Sequence, residues 1–326
     1  MIRCLLTIAL LAGASAVQAQ PATTTTLEAV SGIPAIDKTT QTQDVRFKTD
    51  LDNRMTVPVK LSGSGPYRFL VDTGADRTAI SRELAGKLGL ESGDHASLHS
   101  IAGVSTVSTA TVPDLELTRK PVKIVDAPLL ASANMGADGI LGVDSLRSQR
   151  VLFNFEDKTM SIVPSMVPDF REEPGTIVVR GTRRNGRLVL TDATANGRSL
   201  TVVVDTGSEV SIGNDALRDQ LVGRNLINGL QKVDIQSVTG DTISGDYMFV
   251  RELDIGGVTL KNLAIVFADA HTFKQLKLDR KPALLLGMNA IRAFKKVSID
   301  FANRKFRVVL PEESSLMFEL AQARLR

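Results

Sequence analysis

The chain has 326 residues, enough for two domains of ordinary size, each with a core of its own. Hydrophobic residues make up 43% of it, mean hydropathy is +0.05 and there is no long charged block, which excludes a fibrous or fully disordered chain. The formal charge of +3 is spread thinly and there is one cysteine, Cys4, so neither a concentrated nucleic-acid footprint nor a disulfide framework is expected.

Residues 1–19 have the pattern of a secretory signal peptide. Arg3 supplies a positive start, residues 5–12 an apolar run, and Val17-Gln18-Ala19 a small-residue cleavage site. The run is too short to span a bilayer, so no stable membrane insertion is expected once it is removed. Removal takes Cys4 with it and leaves no thiol nucleophile. The pattern predicts export, to the periplasm or beyond the cell.

Residues 20–44, rich in Thr, Ala and Ser, predict a mobile N-terminal segment. From residue 45 the texture changes to alternating apolar and polar runs separated by glycine turns, the pattern of short strands. A first lobe is predicted over 45–163, a proline-rich linker over 164–175, a second lobe over 176–310 and a terminal helix over 311–326. The basic stretch 180–187 surrounds Asn185-Gly186 and predicts a solvated hairpin tip. Of the three histidines, His95 and His99 fall in one polar stretch and His271 far from it. Without accompanying thiols or carboxylates they predict surface positions, and neither a metal nor another cofactor is expected.

The two predicted lobes repeat each other. Val71-Asp72-Thr73-Gly74-Ala75-Asp76 corresponds to Val204-Asp205-Thr206-Gly207-Ser208-Glu209. Ser100-Ile101-Ala102-Gly103 corresponds to Ser237-Val238-Thr239-Gly240, Ile140-Leu141-Gly142 to Leu285-Leu286-Gly287, and Leu152-Phe153-Asn154 to Ser298-Ile299-Asp300. The four landmarks keep their order at offsets from 133 to 146 residues, as duplication and fusion would leave them.

Asp-Thr-Gly alone arises by accident in about one chain of this length in ten to twenty. Two copies, each after an apolar strand and before an apolar-apolar-glycine element, do not read as accident. The pair also has a chemical use. Two carboxyls close enough to share one proton cannot both ionise easily, so one acts as base on a water while the other serves as acid. Asp72 and Asp205 are the candidate catalytic pair for amide hydrolysis without metal or thiol.

At these motifs the chain resembles the retropepsin-like aspartic proteases, and in particular bacterial exported members with two such lobes in one polypeptide. The resemblance spans about residues 45–310. It implies a mostly β fold of two closed lobes with short helices and a cleft between them. Thr73 and Thr206 would interlock the two loops, and Gly74 and Gly207 would present backbone carbonyls to an extended polypeptide substrate. Ala75, Asp76, Ser208 and Glu209 would line its path, and hairpins bearing Ile101, Gly103, Val238 and Gly240 would cover it as flaps. A retroviral relative has an arginine after the glycine of the apolar-glycine element, paired with the acid two residues beyond Asp-Thr-Gly. Here Val143 and Met288 stand there, leaving Asp76 and Glu209 without that partner. The resemblance implies a monomeric endopeptidase with no nucleic-acid partner. An inactive peptide-binding relative is the alternative, and a two-carboxylate glycosidase a more distant one, disfavoured by the absence of Trp.

Overall fold

The computed structural model describes residues 25–28, 44–46, 48–49, 55–117, 121–146, 149–165, 173, 175–222 and 227–311. The predicted signal peptide, with Cys4, and the predicted helix beyond residue 311 lie outside the described residues.

The described chain is mostly strand, as expected, because its short apolar-alternating runs bury one face each. In Met55–Leu61 the side chains of Val57, Val59 and Leu61 are buried while Pro58 and Lys60 face solvent. The first sheet runs Lys48–Thr49, Met55–Leu61, Ser64–Val71, Gly139–Leu141, Ala79–Ser81, Val122–Leu130, Val104–Glu116, Ser92–His99. Lys60 and Leu61 also pair with Glu116 and Leu115, so this sheet curls back on itself.

The second half repeats the central device in its own sheet. In the first half Gly139–Leu141 lies parallel to Ser64–Val71 and antiparallel to Ala79–Ser81. In the second, Ala283–Leu286 lies parallel to Thr201–Val204 and antiparallel to Ser211–Gly213. The apolar-glycine element thus runs beside the strand that delivers each Asp-Thr-Gly. A short helix follows on each side. Arg82–Lys87 starts at Ser81, whose hydroxyl accepts from Leu84 N–H at 3.0 Å, and Asp215–Val222 starts at Asn214, whose Oδ1 accepts from Leu217 N–H at 2.9 Å.

A third sheet belongs to both halves. Its order is Thr176–Arg180, Lys305–Val309, Lys296–Asp300, Gln149–Asn154, Thr159–Pro164, Asp44–Arg46. Gln149–Asn154 from the first half pairs antiparallel with Lys296–Asp300 from the second. One apolar cluster is continuous across all of this, from Val57 and Phe69 through Phe153 and Ile299 to Val204 and Leu286.

Two local expectations come out differently. Thr25–Glu28, inside the segment expected to be mobile, pairs in parallel with Val258–Lys261. The hairpin at Asn185-Gly186 forms as expected, with both residues at positive φ, and Arg183 and Arg184 are exposed. Its next residue, Arg187, is 4% exposed and points inward.

Candidate active site

Val71 and Val204 are buried strand ends, and each chain turns immediately after them. Asp72 N–H donates to Leu141 C=O at 3.0 Å and Asp205 N–H to Leu286 C=O at 3.1 Å, so each apolar-glycine element anchors the adjacent aspartate. The turns are then locked to each other. Thr73 Oγ1 donates to Val204 C=O at 3.0 Å and accepts from Thr206 N–H at 3.1 Å. Thr206 Oγ1 donates to Val71 C=O at 2.7 Å and accepts from Thr73 N–H at 3.1 Å. Both threonines are buried, at 1% and 0% exposure, so these four bonds have no water competing for them.

The glycines fit under the opposite carboxyls. A Cβ on Gly74 would lie 2.4 Å from Asp205 Oδ1, and one on Gly207 would lie 2.2 Å from Asp72 Cγ. Only glycine allows the two loops to approach this closely. Gly74 N–H donates to Asp72 Oδ1 at 2.7 Å, Ala75 N–H to the same oxygen at 3.0 Å, and Gly207 N–H to Asp205 Oδ1 at 3.0 Å. Burial, and then the neighbouring Asp72 carboxyl, push Asp205 up to about 7 against the pull of Arg187 and the Gly207 amide. Asp205 therefore keeps its proton on the acidic side of about 7, beside the Asp72 carboxyl.

The carboxyls open on a cleft of about 1160 Å³ between the two lobes. Ala75, Asp76, Ser208 and Glu209 line it, together with Ile101 and Val238. Both flap hairpins are present. Ser92–His99 and Val104–Glu116 turn through Ser100–Gly103, while Ile227–Gln236 and Thr242–Ile255 turn through Ser237–Asp241. Gly103 and Gly240 sit in the turns at positive φ. Each tip reaches the opposite lobe. Ile101 packs against the second-half cluster of Ala268, Phe273 and Leu285, and Val238 against the first-half cluster of Leu70, Leu130 and Met135.

The partner of Asp76 was not visible in sequence. Val143 and Met288, where an arginine was looked for, are buried apolar residues. The cation comes instead from the other lobe: Arg187 Nη1 lies 3.4 Å from Asp76 Oδ1. Its Nε donates to Gly74 C=O at 2.5 Å, so that carbonyl, expected to face substrate, is already engaged on one side. Gln275 Nε2 donates to Asp76 Oδ2 at 3.4 Å. Burial still outweighs the guanidinium and lifts Asp76 above the ordinary carboxylate value.

Other departures between the lobes turn out to serve one local purpose. Asp144 Oδ1 accepts from the Thr78 hydroxyl at 2.7 Å, and Asn289 Oδ1 accepts from the Ser211 hydroxyl at 2.8 Å. Asp144 and Asn289 therefore do the same structural work, although only Asn289 lines the cleft. Among the described residues no group of three or more His, Cys, Asp or Glu is placed to hold a metal ion, and no helix is long and apolar enough to cross a membrane.

Known families match both halves of this arrangement. Residues 57–148 match the family described as gag-polyprotein putative aspartyl protease, and residues 191–290 the family described as aspartyl protease. Each match covers one Asp-Thr-Gly loop and reaches the short helix after the apolar-glycine element. A search of curated proteins finds no match. The two matches together support a retropepsin-like, two-domain aspartic protease, and its activity is that of an aspartic-type endopeptidase. The inactive peptide-binding alternative gains no support from either match.

Proposed function

We propose that Asp72 and Asp205 are the catalytic pair, and that the chain cleaves exported or membrane-exposed proteins. The observation that carries the assignment is the close approach of each glycine to the opposite carboxyl, which brings the two acids side by side at the cleft. The ionised carboxyl takes a proton from a water as that water attacks the scissile carbonyl. The protonated one donates to the carbonyl oxygen and, as the tetrahedral species collapses, a proton passes to the departing amine.

An extended peptide suits this cleft, whose walls are strands and whose roof is two hairpins. Export rests on residues 1–19, whose charge, apolar run and cleavage site have the pattern of a signal peptide. A monomer is the expected state, since one chain supplies both halves of the site.

Purified mature chain incubated with mixed peptides from pH 3 to 8 should generate new termini. Asp72→Asn and Asp205→Asn should each reduce kcat by at least about a thousandfold while circular dichroism is unchanged. Near-normal turnover by either variant would refute the assignment. Cleavage with no preference for exported proteins in matched cell fractions would refute only the substrate class.

A further inference from the structure

The two flaps are held differently. At the first, Ile101 C=O accepts from His271 N–H at 2.8 Å, tying the tip to the short helix His271–Gln275 of the opposite lobe. At the second, the tip meets Ser132–Met135 of the first lobe, where Gly240 lies against Asn134. The backbone amide of Ser132 is already donated to Glu83 Oε2 at 3.0 Å.

The first flap has a further attachment. His99, the last residue of its ascending strand, places Nδ1 2.8 Å from His271 Nε2, with the rings 5.1 Å apart and 18° from parallel. These residues are 172 positions apart in sequence and join the first flap to the opposite lobe. Two imidazoles at this distance share a hydrogen bond that needs one N–H and one lone pair. The bond exists when both rings are neutral and when the pair carries one extra proton. A second extra proton puts N–H against N–H and adds the repulsion of two cations.

We propose that His99 and His271 form a proton-operated latch, which holds the first flap over the two carboxyls at neutral pH and releases it when both rings are charged. The surrounding charges agree with a pair that resists the second proton. Lys274 follows His271 on the same helix and opposes its charging, partly offset by Asp269, to which Lys274 is paired at 2.7 Å. Asp76 faces His99 from the loop after the first Asp-Thr-Gly and is itself engaged by Arg187 and Gln275. Burial, then His99, then Lys274 hold His271 below the ordinary histidine value of 6.5, so release belongs to the acidic side of it. Ser105 Oγ of the first flap also donates to Asp241 Oδ2 of the second at 3.5 Å, a contact that involves neither ring. His99 and His271 are positioning residues here. They touch the flap, not the reacting atoms.

The kinetic form of this inference rests on the protease reading, but the structural form does not. Amide exchange of residues 97–106 is therefore to be measured in full-length Asp205→Asn protein at pH 7.5 and pH 5.0, corrected for the intrinsic pH dependence of exchange. Protection should fall about five- to tenfold at pH 5.0, the loss expected for one such bond. The same background carrying His271→Gln, or separately His99→Gln, should show no pH-dependent change in this segment. In the active protein KM should rise about five- to tenfold between pH 7 and pH 5 beyond any change in kcat, and either Gln variant should flatten the KM profile. Unchanged protection between the two pH values, or an equal fall in both Gln variants, would overturn the latch. If exchange behaves as expected but no peptide is cleaved, the latch stands and the catalytic assignment fails.

Discussion

Thr73 and Thr206 should each tolerate serine but not valine, and the reason is local. Valine at 206 keeps the volume but leaves Val71 C=O and Thr73 N–H buried without partners. Orphaning two buried groups costs about 2–5 kcal/mol together, whereas serine retains both bonds. Thr206→Val should therefore lower the urea midpoint markedly and Thr206→Ser only slightly, each followed by circular dichroism. Asp205 has the opposite relation to stability. Its value near 7 in the folded protein, against an ordinary 3.8, means that the folded state holds the proton more tightly than the unfolded chain. That contribution is fully present below about 3.8 and is lost as pH rises through about 7. Above it the buried charge destabilises the fold by about 2–4 kcal/mol. Asp205→Asn, besides removing activity, should raise Tm by several degrees at pH 8 and show no such gain at pH 4 in scanning calorimetry.

At the scale of elements, the hairpin of Thr182–Arg184 and Arg187–Leu190 does what the missing arginine of the apolar-glycine element was expected to do. It inserts Arg187 from across the lobe boundary to meet Asp76 and the Gly74 carbonyl. Replacing it with methionine would keep much of the stem while leaving both partners without their cation. Arg187→Met should lower kcat about tenfold or more and move the pH profile, and Arg187→Lys should restore only part, since a lysine cannot reproduce the fork. An Arg187→Met enzyme with wild-type kcat across pH 4–8 would show that the guanidinium does not position the first loop. This residue also shows what was legible beforehand. The Asp-Thr-Gly loops, apolar-glycine elements and flap turns could be read because each is a contiguous word whose residues act on their own backbone, and because each occurs twice. Arg187 lies in a basic run that reads as solvated, and its inward aim depends on a lobe packing that no local pattern encodes. The pairing of His99 with His271 was hidden for the same reason, since the contact depends on where the flap comes down.

The two halves share more than the cleft. Strand Gln149–Asn154 of the first pairs with Lys296–Asp300 of the second, and Asp44–Arg46 and Thr176–Arg180 extend that sheet on either side. The apolar cluster passes without a break from Phe69 through Phe153, Val297 and Ile299 to Leu286, and the threonine bonds join the lobes again at the site. Domains that meet only through a linker and a polar surface unfold separately, but here neither half can lose its packing without exposing strand edges and apolar surface of the other. Thermal unfolding should accordingly be one transition. Exchange protection in Ser64–Val71 and in Thr201–Val204 should disappear together, and Phe153→Ala, in the shared sheet, should lower both by the same amount. Truncating a fully buried phenylalanine costs about 3–5 kcal/mol, a displacement large enough to separate two transitions if two existed. A temperature interval in which one strand is open and the other still protected would mean that the carboxyls are brought together by docking of independent lobes rather than by a single cooperative fold.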